Sequence, residues 1–120
     1  MARILIVDDS VSLRKLVALT LQGAGNVVCE VESGPSALKA ARSGTFDLVI
    51  SDLNMPGMDG ITLVAELRKL QSYRSTPILI LTTEMDHTRK QAARSAGATG
   101  WLVKPFDPTT LLATVRKVLD

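Results

Sequence analysis

The chain alternates short, nearly continuous apolar runs with longer stretches in which apolar residues return every three or four positions, the pattern of strands interleaved with amphipathic helices. Ile4-Leu5-Ile6-Val7 predicts a first strand, after which Leu13, Leu16, Val17 and Thr20 fall at helical spacing until Gly23 and Gly25 end the pattern. Val27 to Val31 is less apolar and predicts a second strand near a sheet edge. Ser33-Gly34-Pro35 opens a short helix through about Arg42, closed by Gly44. Leu48-Val49-Ile50 is too short a run for a helix and predicts a third strand, stopped by the turn-rich Met55-Pro56-Gly57 and Gly60. Asp59 is placed to cap a helix from about Gly60 to Leu70, with Leu63, Leu67 and Leu70 facing inward. Pro77 to Leu81 predicts the fourth strand, Asp86 to Ser95 a polar, exposed helix stopped by Gly97, and Thr99 to Val103 the fifth strand. After Asp107-Pro108, Leu111, Leu112, Val115, Val118 and Leu119 mark one face of a last helix whose other face carries Arg116 and Lys117.

Five strand–helix pairs joined by short connections require right-handed crossovers, and so an α/β fold with a doubly wound parallel sheet covered on both faces. Such a sheet brings the carboxyl ends of its strands to one rim, where open α/β sheets bind ligands. Asp8 and Asp9 follow strand one, Asp52 ends strand three, Thr82 follows strand four and Lys104 follows strand five. Each has a plainer reading alone: Asp52 satisfying loop amides, Asp9 capping a helix, Thr82 closing a turn, Lys104 solvated. Three carboxylates, a hydroxyl and a cation converging from distant parts of the chain point instead to a site.

A length of 120 residues predicts one domain with a substantial core and no output module. The formal charge of +2 comes without any block of consecutive Lys or Arg, so no nucleic-acid partner is expected. Asp8-Asp9 interrupt the first apolar run, and no run approaches the about eighteen apolar residues of a membrane span. Neither a signal peptide nor membrane insertion is therefore expected, and the protein should be soluble and cytoplasmic. Cys29, the only cysteine, has no internal disulfide partner and reads as a small core or near-core residue.

Four motifs, Val7-Asp8-Asp9-Ser10, Ser51-Asp52-Leu53-Asn54-Met55-Pro56-Gly57-Met58-Asp59-Gly60, Leu81-Thr82-Thr83 and Lys104-Pro105-Phe106, resemble those of response-regulator receiver domains, in the same order over essentially the entire chain. The resemblance implies a flavodoxin-like (βα)5 fold with strand order 2-1-3-4-5, the order that the chemotaxis receiver CheY exemplifies. It implies that Asp52 accepts a phosphoryl group from a kinase phosphohistidine in a two-component phosphorelay, forming an aspartyl phosphate. Asp8, Asp9, Asp52 and the backbone carbonyl of Asn54 would hold Mg2+, or Mn2+ in its place, an all-oxygen set suited to a hard cation. Without a cation, the crowded acids would raise the proton affinity of at least one of them. Lys104 and the ion would neutralise phosphoryl oxygens in a loose transition state. Thr82 matches the family's switch hydroxyl, and Asn54 and Glu84 match positions beside the phosphoryl group that modulate phosphate lifetime. By the same resemblance the Lys104–Pro105 bond is expected to be cis, with an ordinary trans turn as the alternative. Trp101 stands where the family has Tyr or Phe; its larger indole offers only an N–H donor, so it is either a switch aromatic or an anchor on the fifth strand.

The implied output surface comprises helix four, strand five and helix five, where Arg89, Lys90, Arg94, Trp101, Arg116 and Lys117 either receive an acidic partner segment or form a solvated basic face. His87, the sole histidine, reads as an exposed helix-start residue. Leu81-Thr82-Thr83-Glu84 and Gly97-Ala98-Thr99-Gly100-Trp101 are similar to chemotaxis receivers, implying a chemotaxis-type histidine kinase, a flagellar motor switch protein as target, and a monomer. A phosphate sink, or a relay to another phosphorelay protein, is the alternative with the same site. A metal-dependent phosphohydrolase would also use clustered acids, but its DxD spacing fails because Asp8 and Asp9 are adjacent. Two acids after strand one oppose an anionic flavin cofactor, and no P-loop pattern supports direct ATP use. The expectation is a phosphoacceptor signalling protein that assists its own phosphorylation and dephosphorylation, not an enzyme acting on other substrates.

Overall fold

The apolar runs form strands because each can bury both faces at once, and the computed structural model, which describes residues 1–83 and 87–120, shows how. In chain order the elements are β1 (Arg3–Val7), α1 (Val11–Gly23), β2 (Val27–Val31), α2 (Gly34–Ser43), β3 (Leu48–Asp52), α3 (Gly60–Arg68), a 3-10 turn (Gln71–Tyr73), β4 (Ile78–Thr82), α4 (His87–Ala96), β5 (Gly100–Val103) and α5 (Pro108–Leu119). All neighbouring strands are parallel and run in the order β2-β1-β3-β4-β5. The fold is the expected doubly wound, flavodoxin-like one, with the weakly apolar β2 at an edge.

Successive strand residues point to opposite faces and feed two cores. Leu5, Val7, Val49, Ile78 and Ile80 pack with Ala37, Leu63, Val64, Leu67 and Ala93 from α2, α3 and α4. Ile4, Ile6, Leu48, Ile50, Leu79 and Leu81 pack with Val17, Ala18, Leu21, Leu111 and Val115 from α1 and α5. Half-buried Cys29 lies against the first core, as its near-core reading anticipated. No helix among the described residues is long and apolar enough to cross a membrane.

Helix starts are fixed by side-chain oxygens that accept otherwise unpaired amide protons. Ser10, Ser33, Asp59 and Asp107 cap α1, α2, α3 and α5, accepting from the amides of Leu13, Ser36, Thr62 and Thr110. The cap of α1 is thus Ser10 and not Asp9, which leaves the Asp9 carboxylate exposed at the rim. The inward stripe of α1 also differs from the sequence pattern. Val17, Ala18 and Leu21 are buried while Leu16 is 52% exposed, because Ala18, a weak apolar signal, takes the inward position and turns Leu16 outward.

Helix α3 stops at Arg68, short of the expected Leu70, which is extended and leads into the 3-10 turn. Two side chains tie this region down. The Arg68 guanidinium donates to the carbonyls of Tyr73, Thr76 and Gly97, and the buried Tyr73 hydroxyl lies 3.0 Å from the Ala41 carbonyl and 2.9 Å from that of Gly44. Tyr73 thereby bolts the 3-10 turn to the end of α2. Replacing it with Phe removes the hydroxyl that the two carbonyls share and is expected to lower unfolding free energy by about 1–2 kcal/mol in urea titration, with an unchanged m-value. An unaltered midpoint would show that the hydroxyl carries no stability.

Candidate functional site

Register decides which residues meet. Val7 is level with Ser51, Asp52 with Leu81 and Thr82 with Val103, so Asp8, Asp52, Thr82 and Lys104 emerge along one rim. The ladders run to the edge of the site: the Asp8 amide donates to the Val31 carbonyl at 3.2 Å, and the Lys104 amide to the Thr82 carbonyl at 2.9 Å. The β3–α3 connection is drawn tight against the same rim. A Cβ on Gly60 would collide with the Asp52 carbonyl oxygen and lie 3.0 Å from the Leu53 Cα, so only glycine permits this approach.

Ligand oxygens of Asp8, Asp9 and Asp52 lie within 4.8 Å of one another, with Asp8 and Asp52 buried and Asp9 exposed. Lys104 Nζ donates to Asp52 Oδ1 at 2.8 Å and lies 3.7 Å from Asp8 Oδ2, beyond hydrogen-bond reach. Asp8 Oδ1 accepts from the Ser10 amide at 2.9 Å, while Asp8 Oδ2 is buried with no hydrogen-bond partner among the described residues. Burial pushes the Asp8 carboxyl above its ordinary value; the Ser10 amide opposes this, Asp52 adds to it, Lys104 opposes it and Asp9 adds again. An orphaned carboxylate oxygen facing two further acids fits a hard divalent cation, whose charge would relieve both the desolvation and the repulsion. The Asp52 carboxylate, hydrogen-bonded to a lysine, is equipped to act as a nucleophile toward phosphorus.

The other sequence-selected residues separate into groups. Thr82 is buried at the end of β4, Asn54 is exposed in the loop after β3, and the Lys104–Pro105 peptide is cis. Half-buried Trp101 adjoins a small cavity that Thr82, Leu53 and Arg89 also line. Its ring carries Lys90 Nζ at 5.1 Å and Arg94 Cζ at 5.3 Å, two cations one helical turn apart on α4. Arg89 reaches back to Asp59 at 3.7 Å, linking α4 to the cap of α3. Arg116 lines a cavity of about 460 Å³ with Met1, Asn26 and Asp47 at the amino-terminal rim, away from Trp101, and Lys117 is exposed beside it on α5. His87 is exposed at the first position of α4. Glu84, and the Asp86 expected to begin α4, lie outside the described residues.

Sequence reasoning missed Arg14 and Glu30. Arg14 Nη1 donates to the Asp8 backbone carbonyl at 2.7 Å and Nε to Glu30 Oε1 at 3.2 Å. A charged Glu30 in the middle of an otherwise apolar β2 was the available signal, and its partner is sixteen residues away in the chain.

Residues 4–116 match the response regulator receiver domain family. Chemotaxis protein CheY-3 of Vibrio cholerae is 37% identical over 119 residues, spanning 98% of this chain and 92% of that protein. The solved structure of Vibrio cholerae chemotaxis protein CheY4 is similar with a TM-score of 0.96 and 50% identity over 98% of each chain. The receiver domain of a sensor histidine kinase from Pseudomonas aeruginosa PAO1, solved with a magnesium ion coordinated in its active-site cleft, gives a TM-score of 0.91 at 25% identity over 98% of this chain and 97% of that one.

The strain at Asp8 sets the sign of two outcomes. With its carboxyl raised by burial, the ion-free fold holds that proton more tightly than the unfolded chain does, so Asp8 favours folding most at low pH. That contribution is lost as pH rises from the ordinary aspartate value through the raised one, the reverse of a salt-bridged acid. Asp8→Asn is accordingly expected to melt about 3–8 °C higher than wild type in EDTA at neutral pH, and to lose the stabilisation that added Mg2+ gives wild type. A variant that melts lower in EDTA would contradict the strain.

Proposed function

The chain belongs to the response regulator receiver domain family, a family of signalling proteins, and we propose that it is a chemotaxis response regulator whose Asp52 takes a phosphoryl group from the phosphohistidine of a two-component histidine kinase. The observation that carries this reading is the pairing of Asp52 with Lys104 at 2.8 Å beside Asp8 and Asp9. Chemotaxis proteins among its relatives support the assignment to chemotaxis.

In the proposed reaction Lys104 engages Oδ1, so attack falls to Oδ2 of Asp52, which bonds to phosphorus as the phosphorus–nitrogen bond to the donor imidazole breaks and its electron pair leaves with the ring. Lys104 needs little reorganisation to turn its ammonium from the carboxylate to a phosphoryl oxygen, since both oxygens sit on the same new acyl phosphate. Asp8, Asp9, Asp52 and the Asn54 carbonyl would hold a divalent ion, which would supply positive charge for the phosphoryl oxygens. Exposure of Asp9 leaves the cluster open to solvent on one side, the side from which a donor must approach. Thr82, buried at the adjacent strand end, donates its hydroxyl to the phosphoryl group, and Trp101, sharing a cavity wall with it, passes the change to α4. Asn54 and Glu84 tune how water reaches the acyl phosphate. Lys90, Arg94 and Trp101 then present a basic, aromatic face to an acidic segment of the flagellar motor switch.

The test is phosphorylation by acetyl phosphate with and without Mg2+, followed by Trp101 fluorescence and by binding of a labelled motor-switch peptide. Wild type should incorporate phosphate only with Mg2+, and Asp52→Asn not at all. Lys104→Ala should be slowed by roughly 100-fold or more, the scale for losing a preorganised charge at developing oxyanions. Phosphorylation without tighter peptide binding would favour a phosphate sink or relay; label on wild type and Asp52→Asn alike would refute the acceptor assignment.

A further inference from the structure

Arg14 lies behind the acid cluster. Its side chain is only 13% exposed, and among the described residues none of its hydrogen bonds goes to a carboxylate of the cluster. Nη1 donates instead to the Asp8 backbone carbonyl at 2.7 Å. That carbonyl belongs to the peptide unit joining Asp8 to Asp9, whose plane contains the Cα atoms from which both side chains depart. The Asp8 amide on the preceding peptide is already fixed by the Val31 carbonyl of β2. Rotation of the Asp8–Asp9 plane would swing both side chains together, and the Arg14 bond opposes it.

Glu30 holds the arginine in place. Its Oε1 accepts from Arg14 Nε at 3.2 Å, and its Oε2 accepts from Lys15 Nζ at 3.1 Å. Glu30 stands on β2 level with Ile6, two positions before Asp8, so the brace runs from the sheet edge through α1 to the site. A guanidinium suits the task because its planar fork serves two acceptors in fixed geometry, whereas a lysine ammonium is a point charge on a flexible stem.

We propose that Arg14, oriented by Glu30, is a positioning residue that sets the direction of the Asp8 and Asp9 carboxylates and thereby the affinity of the acid cluster for a divalent cation. This rests on the phosphoryl-acceptor reading above. Among the described residues the hydrogen bonds of Arg14 go to the Asp8 carbonyl and Glu30, and none goes to Asp52, the phosphoryl acceptor of that reading.

Mg2+ binding to the full chain, measured by isothermal titration calorimetry, tests this without phosphorylation. Arg14→Met is expected to weaken Mg2+ binding at least tenfold, the scale seen when a group orienting a metal ligand is removed. Glu30→Gln should weaken it less, and Arg14→Lys, which keeps one donor for the Asp8 carbonyl, should fall between wild type and Arg14→Met. In acetyl phosphate assays the half-saturating Mg2+ concentration should rise while the rate at saturating Mg2+ stays within about twofold of wild type. A purely structural role predicts a lower melting temperature in EDTA with unchanged Mg2+ affinity, and that result overturns the proposal. If Arg14→Met does not fold, unchanged affinity in both Arg14→Lys and Glu30→Gln overturns it equally. Absence of Mg2+ binding by wild type would instead refute the acceptor reading on which it rests.

Discussion

Crowding three carboxylates at the end of an apolar sheet is costly twice over, through mutual repulsion and through loss of water, and the surrounding architecture bears that cost. Asp8, Asp9 and Asp52 bring three negative charges within 4.8 Å, against the single ammonium of Lys104. Such a group survives only where the backbone beneath it is too stiff to spread. Stiffness comes from two well-filled cores, from ladders that continue to the last residue before the site, and from Gly60 pressed against the Asp52 carbonyl. The fold stores an electrostatic tension that a bound cation would relieve.

How much of this the sequence discloses depends on how local the cause is. Strands announce themselves through runs such as Ile4–Val7 and Ile78–Leu81, because burial on both faces leaves no polar positions to dilute the signal. Asp59 is legible as a cap for an equally local reason: the amide it satisfies lies three residues ahead. The acids and the lysine of the site are legible once the strands are assigned, since each falls at a strand's carboxyl end. What escaped depends on partners remote in the chain. Tyr73 is buried because it meets carbonyls about thirty residues earlier, Arg68 because it gathers the 3-10 turn and the α4–β5 turn, and Arg14 because Glu30 waits on β2. The α1 stripe was misphased for a different reason: Leu16 carries more hydrophobic signal than Ala18, yet Ala18 is the residue buried in the core.

Helix α4 stands apart from its neighbours in how it is attached. Ala93 is its only buried residue among those described, whereas α3 buries Leu63, Val64 and Leu67. In place of apolar bulk, α4 grips the half-buried Trp101 through Lys90 and Arg94, contacts that are polarisable, partly solvated and weakened by salt. A helix held in this manner can shift at small cost while the core beneath stays packed.

The position of Lys104 has a consequence for how the molecule comes into being. A ribosome delivers the acids within the first 52 residues and the lysine only after β5, so a nascent chain carries the charge cluster well before its ammonium. β5 must pair with β4 to bring Lys104 beside Asp52, which makes the last strand to emerge the one that completes the site. Until β5 is in place, the acids stand without the ammonium that pairs with Asp52.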